Sequence, residues 1–334
     1  MINLFFFIFI INLLIFLNYS KIAKIYKVYD IPDNLRKHHR HPIPLLGGLI
    51  IYFNILILIV FSYFNFIENI IFRSSYEVNV FFISVSFFFI IGFLDDRYNI
   101  SANKKLLIVS ISIYFIILLD NSTIITDLSL SFYNKKIFLK EFSIPITILC
   151  FLLFTNAYNM LDGINCQAAF YTLFIAIIFI FNNINNIFFT NLIITLLFFL
   201  WFNFKNKMFL GNSGSLLLSY IIGFFFIKSY NFNNTFYTDE IFLIMMIPGI
   251  ELLRLAILRL LNKKHPFKAD RNHIHHIILK KKSLFSTFLI IQVLLWSPFI
   301  IFLLFKNFLI ASLLSLSIYF ATMYYYSFPK NYIK

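Results

Sequence analysis

Apolar stretches long enough to cross a bilayer recur along the whole chain, and no other feature limits the fold as strongly. A lipid-spanning backbone must satisfy its own N–H and C=O groups, which leaves helices or a closed barrel. Runs of roughly 20 apolar residues fit a helix across a hydrocarbon core of about 30 Å. At 60% hydrophobic and 13% charged residues over 334 positions, the chain cannot be a water-soluble domain. The expected fold is all-α and polytopic, with about eleven spans near 2–18, 45–64, 78–94, 105–119, 144–161, 168–181, 187–202, 216–228, 241–260, 286–305 and 308–326. The first run lacks a basic start and a small-residue cleavage site, so it reads as a span and not as a signal peptide. The chain reads as one integral membrane domain over 1–334, with cytoplasmic loops near 19–44, 95–104, 162–167, 203–215 and 261–285.

Most of the 28 Lys and Arg fall in alternate loops. The positive-inside rule then puts the N-terminus outside and the C-terminus in the cytoplasm. The net charge of +14 is accounted for by this bias, so no nucleic-acid partner is implied. Cys150 and Cys166 are the only cysteines, too few for a disulfide framework.

All seven histidines lie on the expected cytoplasmic side, in two loops: His38, His39 and His41, then His265, His273, His275 and His276. Four polar clusters share that side. In "GFLDDRYNISANKK", Asp95 and Asp96 close a span and Lys104 and Lys105 follow about ten residues on. Two carboxylates and a lysine suit Mg²⁺ with a phosphate, and an ordinary charged span end would look the same. In "TNAYNMLDGIN", Asn156, Asn159 and Asp162 recur every third residue and share a helix face. Polar contacts between helices are the other reading. In "FLGNSGSLLL", a Gly/Ser turn at a helix start offers N–H groups to a phosphate. Capping with close helix packing accounts for it better when it is taken alone. In "KKHPFKADRNHIHHI", His273 and His276 could share a helix face, and imidazoles bind metals, donate to phosphates or move protons. The adjacent Lys263, Lys264, Lys268 and Arg271 would repel a cation and attract an anion. The four clusters together point to a Mg²⁺–polyphosphate site at a membrane face, with a lipid co-substrate.

With these motifs in this order, the chain resembles the polyprenyl-phosphate N-acetylhexosamine-1-phosphate transferases. "RKHHRHPIPLLGG", "GFLDD" with Lys105, "NAYNMLDG", "FLGNSGS" and "PFKADRNHIHH" are similar to successive family motifs. The His-Ile-His-His form resembles the branch that starts O-antigen, enterobacterial common antigen or teichoic acid synthesis. The resemblance implies transfer of HexNAc-1-phosphate, by default GlcNAc-1-phosphate, from a UDP-sugar to undecaprenyl phosphate, releasing UMP. It implies Mg²⁺, with Mn²⁺ as the substitute, held by Asp95, Asp96 and Asn212. It implies catalytic roles for Asp95, Asp96, Asp162, His273, His275 and His276. Substrate contacts would come from His39, Lys105, Asn156, Asn159, Asn165 and Arg271. The expected location is the bacterial inner membrane with the site facing the cytoplasm. Dimerisation is seen in the family, and no residue in the sequence marks an interface.

Four positions depart from the family pattern. Asn212 and Asn165 stand where an acid is usual, Cys166 replaces a glycine, and Glu251 stands where Asp is common. Two other classes were weighed. A metal- or proton-coupled transporter would need ionisable groups at mid-membrane depth, where Glu251 and Arg254 are the nearest candidates. A non-catalytic membrane scaffold is supported only by the departures.

Overall fold

The computed structural model describes residues 2–32, 41–63, 72, 74–233, 235–266 and 270–327. The helices in chain order are α1 (Ile2–Leu17), α2 (Tyr19–Tyr26), α3 (Gly47–Tyr63), α4 (Ser75–Tyr98), α5 (Ala102–Leu119), α6 (Ser143–Leu161), α7 (Gln167–Phe181), α8 (Asn186–Phe204), α9 (Gly211–Asn233), α10 (Thr238–Leu261), α11 (Ile274–Leu279), α12 (Leu284–Phe305) and α13 (Phe308–Ser327). Two short antiparallel hairpins join them: β1 (Tyr29–Asp30) with β2 (Ile43–Pro44), and β3 (Asp127–Leu130) with β4 (Tyr133–Phe138). The fold is thus mostly helical but not purely so.

Each of the eleven expected spans falls on a helix. Among the described residues, eight helices are long and apolar enough to cross a membrane. A ninth span arises if α1 and α2, bent by 66°, are taken as one. α3 and α7 are apolar but shorter. The chain is a multi-pass membrane protein. The polar loops are shorter than the sequence suggested, because α4 runs on through Asp95 and Asp96 and α9 starts already at Gly211. α4 stops at Asn99, which takes the left-handed conformation (φ 50°) common after a helix.

Chain contacts divide the molecule into two compact units. The first comprises 1–124 and 168–235, the second 125–167 and 236–334.

In the first unit α9 is the core helix. Its apolar window is 89% buried, against 22% for α5. A helix apolar all round belongs inside, and one with an exposed apolar face suits lipid. Phe88 stacks on Tyr220 with ring centroids 4.2 Å apart, and Phe179, Phe188 and Phe189 pack on Phe225. Polar pairs add direction to this packing. The buried amides of Asn12 (α1) and Asn54 (α3) exchange two hydrogen bonds of 2.9 and 3.1 Å. Such pairs hold helices together where lipid supplies no hydrophobic drive.

Lys228 is fully buried in α9 and pairs with Glu77 (3.0 Å) and Asp120 (2.7 Å). It lies 17 residues beyond Gly211, about 25 Å along the helix axis. It therefore joins α4, α9 and the end of α5 at the far end of α9 from Asp96. Lys228→Met is expected to lower the stability of this unit by about 3–5 kcal/mol, because two carboxylates would lose their counter-ion. Thermal unfolding in detergent measures this, and an unchanged midpoint would mean that the cluster contributes nothing.

In the second unit, α6, α10, α12 and α13 pack together. The β3–β4 turn is tied to α10 by Asp239, which accepts from the Ser131 N–H (2.8 Å) and hydroxyl.

Candidate active site

The first group of site residues lies in unit one. α4 ends at Tyr98 and α5 starts at Ala102, so only three residues separate the two helices. This corner returns Lys105 to Asp95, with Nζ 2.8 Å from Oδ2 and both side chains largely buried. The neighbouring carboxylate points elsewhere. Asp96 Oδ1 accepts from the Asn212 N–H at 2.7 Å, and Oδ2 from the Ser213 N–H at 2.9 Å. The first N–H groups of a helix have no partner within it, and the helix dipole favours an anion there. In the sequence these donors read as a phosphate cradle. In the structure they hold Asp96, the chain's own anion.

Two glycines make the approach feasible. Gly211 has φ +75°, and a Cβ on it would lie 2.7 Å from Asp96 Oδ2. A Cβ on Gly92 would stand 2.4 Å from the Asn212 carbonyl oxygen and the Ser213 Cα. Larger residues would push α4 and α9 apart at the carboxylates.

A carboxylate oxygen accepts more than one hydrogen bond, so Asp95 and Asp96 both keep acceptor capacity. Mg²⁺ is usually held by one or two carboxylates, with phosphates and water completing its shell. Asp95 and Asp96 are donors of the kind that ion takes, each already engaged on one side, Asp95 by Lys105 and Asp96 by the start of α9. Among the described residues no group of three or more His, Cys, Asp or Glu is placed to hold a metal. Asn212 is in the first turn of α9, with its backbone N–H on Asp96.

The second group lies in unit two. Asn156 and Asn159 sit in the last turns of α6, and Asp162 caps the helix. The Asn156 amide donates to the Leu152 carbonyl of its own helix at 2.7 Å. Asn165 is half-buried in the following turn. Cys166 takes φ +67°, the left-handed region where a glycine costs nothing. Burial and the Asp162 charge push its thiol up to about 12, so it stays protonated at neutral pH.

The three histidines of the His-Ile-His-His segment cluster, with ring centroids 4.3–6.1 Å apart. His273 and His276 do not share a helical face, as their spacing suggested, because His273 is the extended residue before α11. His275 is buried against Gly163, where a Cβ would lie 2.2 Å from its ring. Burial first, then His276 and His273, hold the His275 imidazole well below the usual range, and burial also lowers His273. The lowering of His273 and His275 favours their neutral forms, so they are poor sources of positive charge for a phosphate. Arg271, exposed at the start of the loop, can supply it. Asp270 is lowered although burial opposes its ionisation, because Arg259 donates to it at 2.8 Å and the Asn272 N–H at 2.9 Å.

A lowered histidine pKa has a defined effect on stability. Above the unfolded value of 6.5 neither state carries the proton, and there is no penalty. As pH falls through 6.5 the unfolded chain takes up protons that folded His275 refuses, so stability drops. The thermal midpoint is expected to fall from pH 7.5 to 5.5, and to fall less in His275→Asn. Equal slopes in both proteins would contradict this.

Sequence reasoning gave no structural role to the residues that hold this loop. Glu251 Oε1 accepts from the Ile274 N–H (2.8 Å) and from Arg254 (2.7 Å), and Oε2 accepts from Arg254 and from the Tyr319 hydroxyl. Arg254 also donates to the Asn272 carbonyl at 2.7 Å. The Glu251–Arg254 spacing of three is visible in the sequence, and the Tyr319 partnership is not. These two groups, the nearest candidates for a transport path, anchor the His loop. His39 lies outside the described residues.

The sequence model of glycosyl transferase family 4 matches residues 78–230. A probable undecaprenyl-phosphate N-acetylglucosaminyl 1-phosphate transferase of Bacillus subtilis (strain 168) is 28% identical over 276 residues, covering 78% of this chain and 72% of that protein. The undecaprenyl-phosphate alpha-N-acetylglucosaminyl 1-phosphate transferase of Thermotoga maritima is 27% identical, over 78% of this chain and 76% of its own. The protein of the same name from Escherichia coli (strain K12) is 25% identical, over 82% and 75%. Relatives from such different organisms align along most of the chain and not on one short motif, and over residues 78–230 the chain is similar to glycosyl transferase family 4.

Proposed function

We propose that this protein transfers HexNAc-1-phosphate, by default GlcNAc-1-phosphate, from a UDP-sugar to undecaprenyl phosphate. The products are undecaprenyl-diphospho-HexNAc and UMP, made at the cytoplasmic face of a bacterial inner membrane as the first lipid-linked step of a surface polysaccharide. The observation that carries the reading is the fixed carboxylate pair at the end of α4, in a chain whose relatives bear this activity in their names.

An oxygen of the lipid phosphate attacks the sugar-linked phosphorus. The bond from that phosphorus to the bridging oxygen breaks, and UMP leaves with the electron pair. Mg²⁺, held by Asp95 and Asp96 with Asn212 as the added oxygen donor, would neutralise charge on the diphosphate. The chain's own groups do the rest. Asp96 is immobilised by two backbone donors, so its free lone pairs have a fixed direction. Lys105 balances Asp95 and limits repulsion between the carboxylates. Asn156, Asn159, Asp162 and Asn165 position the nucleotide. Arg271 meets the negative phosphates, and the histidines of the loop act as hydrogen-bond donors to them.

The test uses membranes containing the protein, labelled UDP-GlcNAc, undecaprenyl phosphate and Mg²⁺. Labelled lipid and UMP should form together and stop on chelation with EDTA. Absence of product with every UDP-HexNAc donor would refute the transferase reading.

A further inference from the structure

The second unit holds a small pocket, of about 20 Å³, at the start of α7. Ala157, Leu161, Ile291 and Leu295 give it apolar walls, and His273 and His275 close one side. Gln167, the first residue of α7, also lines it. This side chain is 1% exposed, and neither its Oε1 nor its Nε2 has a hydrogen-bond partner among the described residues. Its backbone is fixed, because the Gln167 carbonyl accepts from Gln292 Nε2 at 3.0 Å. The Gln292 Oε1 is likewise buried and unpartnered.

A buried amide with neither end bonded is unfavourable, and such groups are normally completed by water or a ligand. The pocket's size admits a small substituent, not a whole sugar or base. No Lys or Arg lines it, which argues against phosphate. Its one carboxylate, Glu251, is already bonded to Arg254 and Tyr319. Beside the two histidines there remains the Gln167 amide, an NH₂ donor and a C=O acceptor, against an apolar wall. A secondary amide carrying a methyl group is complementary to that arrangement.

We infer that this pocket receives the 2-acetamido group of the donor sugar, with Gln167 exchanging hydrogen bonds with its N–H and C=O and the methyl against Ala157 and Leu161. The inference rests on the transferase reading above and adds to it the residue that selects an N-acetylated sugar. A site that hydrogen-bonds a substrate group discriminates strongly against the analogue lacking it.

The experiment compares kcat/KM for UDP-GlcNAc and for UDP-glucose, which carries a hydroxyl at that carbon, in the full-length wild type and in Gln167→Leu. Where UDP-glucose is not turned over, its inhibition constant replaces kcat/KM. Gln167→Leu is expected to lower the preference for UDP-GlcNAc by about tenfold or more, with UDP-glucose little changed. Gln167→Asn, which keeps the amide but draws it back by one methylene, should show an intermediate loss, and it carries the test if the Leu variant does not fold. An unchanged preference in the folded variants, or an equal loss with both nucleotides, would overturn the inference and leave a site for water alone. Failure of the wild type with every UDP-HexNAc would refute the transferase reading itself, and this inference with it.

Discussion

Asp95→Asn and Asp96→Asn are each expected to lower turnover on the order of 10³-fold, since removing a charge from a metal–phosphate site costs several kcal/mol of barrier. The two variants should differ in stability. Asp95→Asn removes the partner of a largely buried lysine but keeps an oxygen for it. In Asp96→Asn the new NH₂ has to face a backbone N–H of Asn212 or Ser213, two donors with no acceptor between them. An unmet buried donor costs about 1–3 kcal/mol. Asp96→Asn should therefore lower the thermal midpoint more than Asp95→Asn, while both raise the Mg²⁺ concentration needed for half-maximal rate. Unchanged turnover in both would end the metal-holding role. Equal midpoints would show that the α9 N-terminus does not depend on Asp96.

What could be read from the sequence is what short-range patterns determine. Apolar runs located all eleven expected spans on helices, because the need to bury backbone polar groups in lipid acts within each segment. Asp95, Asp96 and the His segment stood out because charge is rare in such a chain. The partners of these groups did not, since they are chosen by packing between distant segments. Asp96 meets Asn212 and Ser213 across more than a hundred residues. His275 lies on Gly163, and no periodicity links those positions. The Gly/Ser turn shows the limit most clearly. Taken alone it read better as capping with close helix packing than as a phosphate cradle, and the cap is a side chain of α4. The short hairpins were missed for another reason. β4 is exposed along its length, so it lacks the half-buried alternation that marks a strand.

The same long-range logic gives the other large expected effect, on a residue that touches no proposed reacting group. Glu251 sits in α10, yet its carboxylate accepts from the first N–H of α11, from Nε and Nη2 of Arg254 and from the Tyr319 hydroxyl of α13. Replacing it with Gln leaves one acceptor oxygen and sets an NH₂ against Arg254 or Tyr319. A largely buried Arg254 would lose its counter-ion, which costs about 3–5 kcal/mol when a buried pair is broken. The part of the structure that can yield is the segment from Asn272 to Ile274, which is held by Arg254 and Glu251. Glu251→Gln is therefore expected to release the His loop. Hydrogen exchange should rise in residues 270–279 and stay unchanged in α4 and α9. Turnover should fall about 10²-fold, since small misplacements of positioning groups cost rates of that order. Glu251→Asp keeps the charge on a shorter arm and should restore part of both. Lost activity with exchange in the loop unchanged would reassign Glu251 from positioning the histidines to direct contact with substrate.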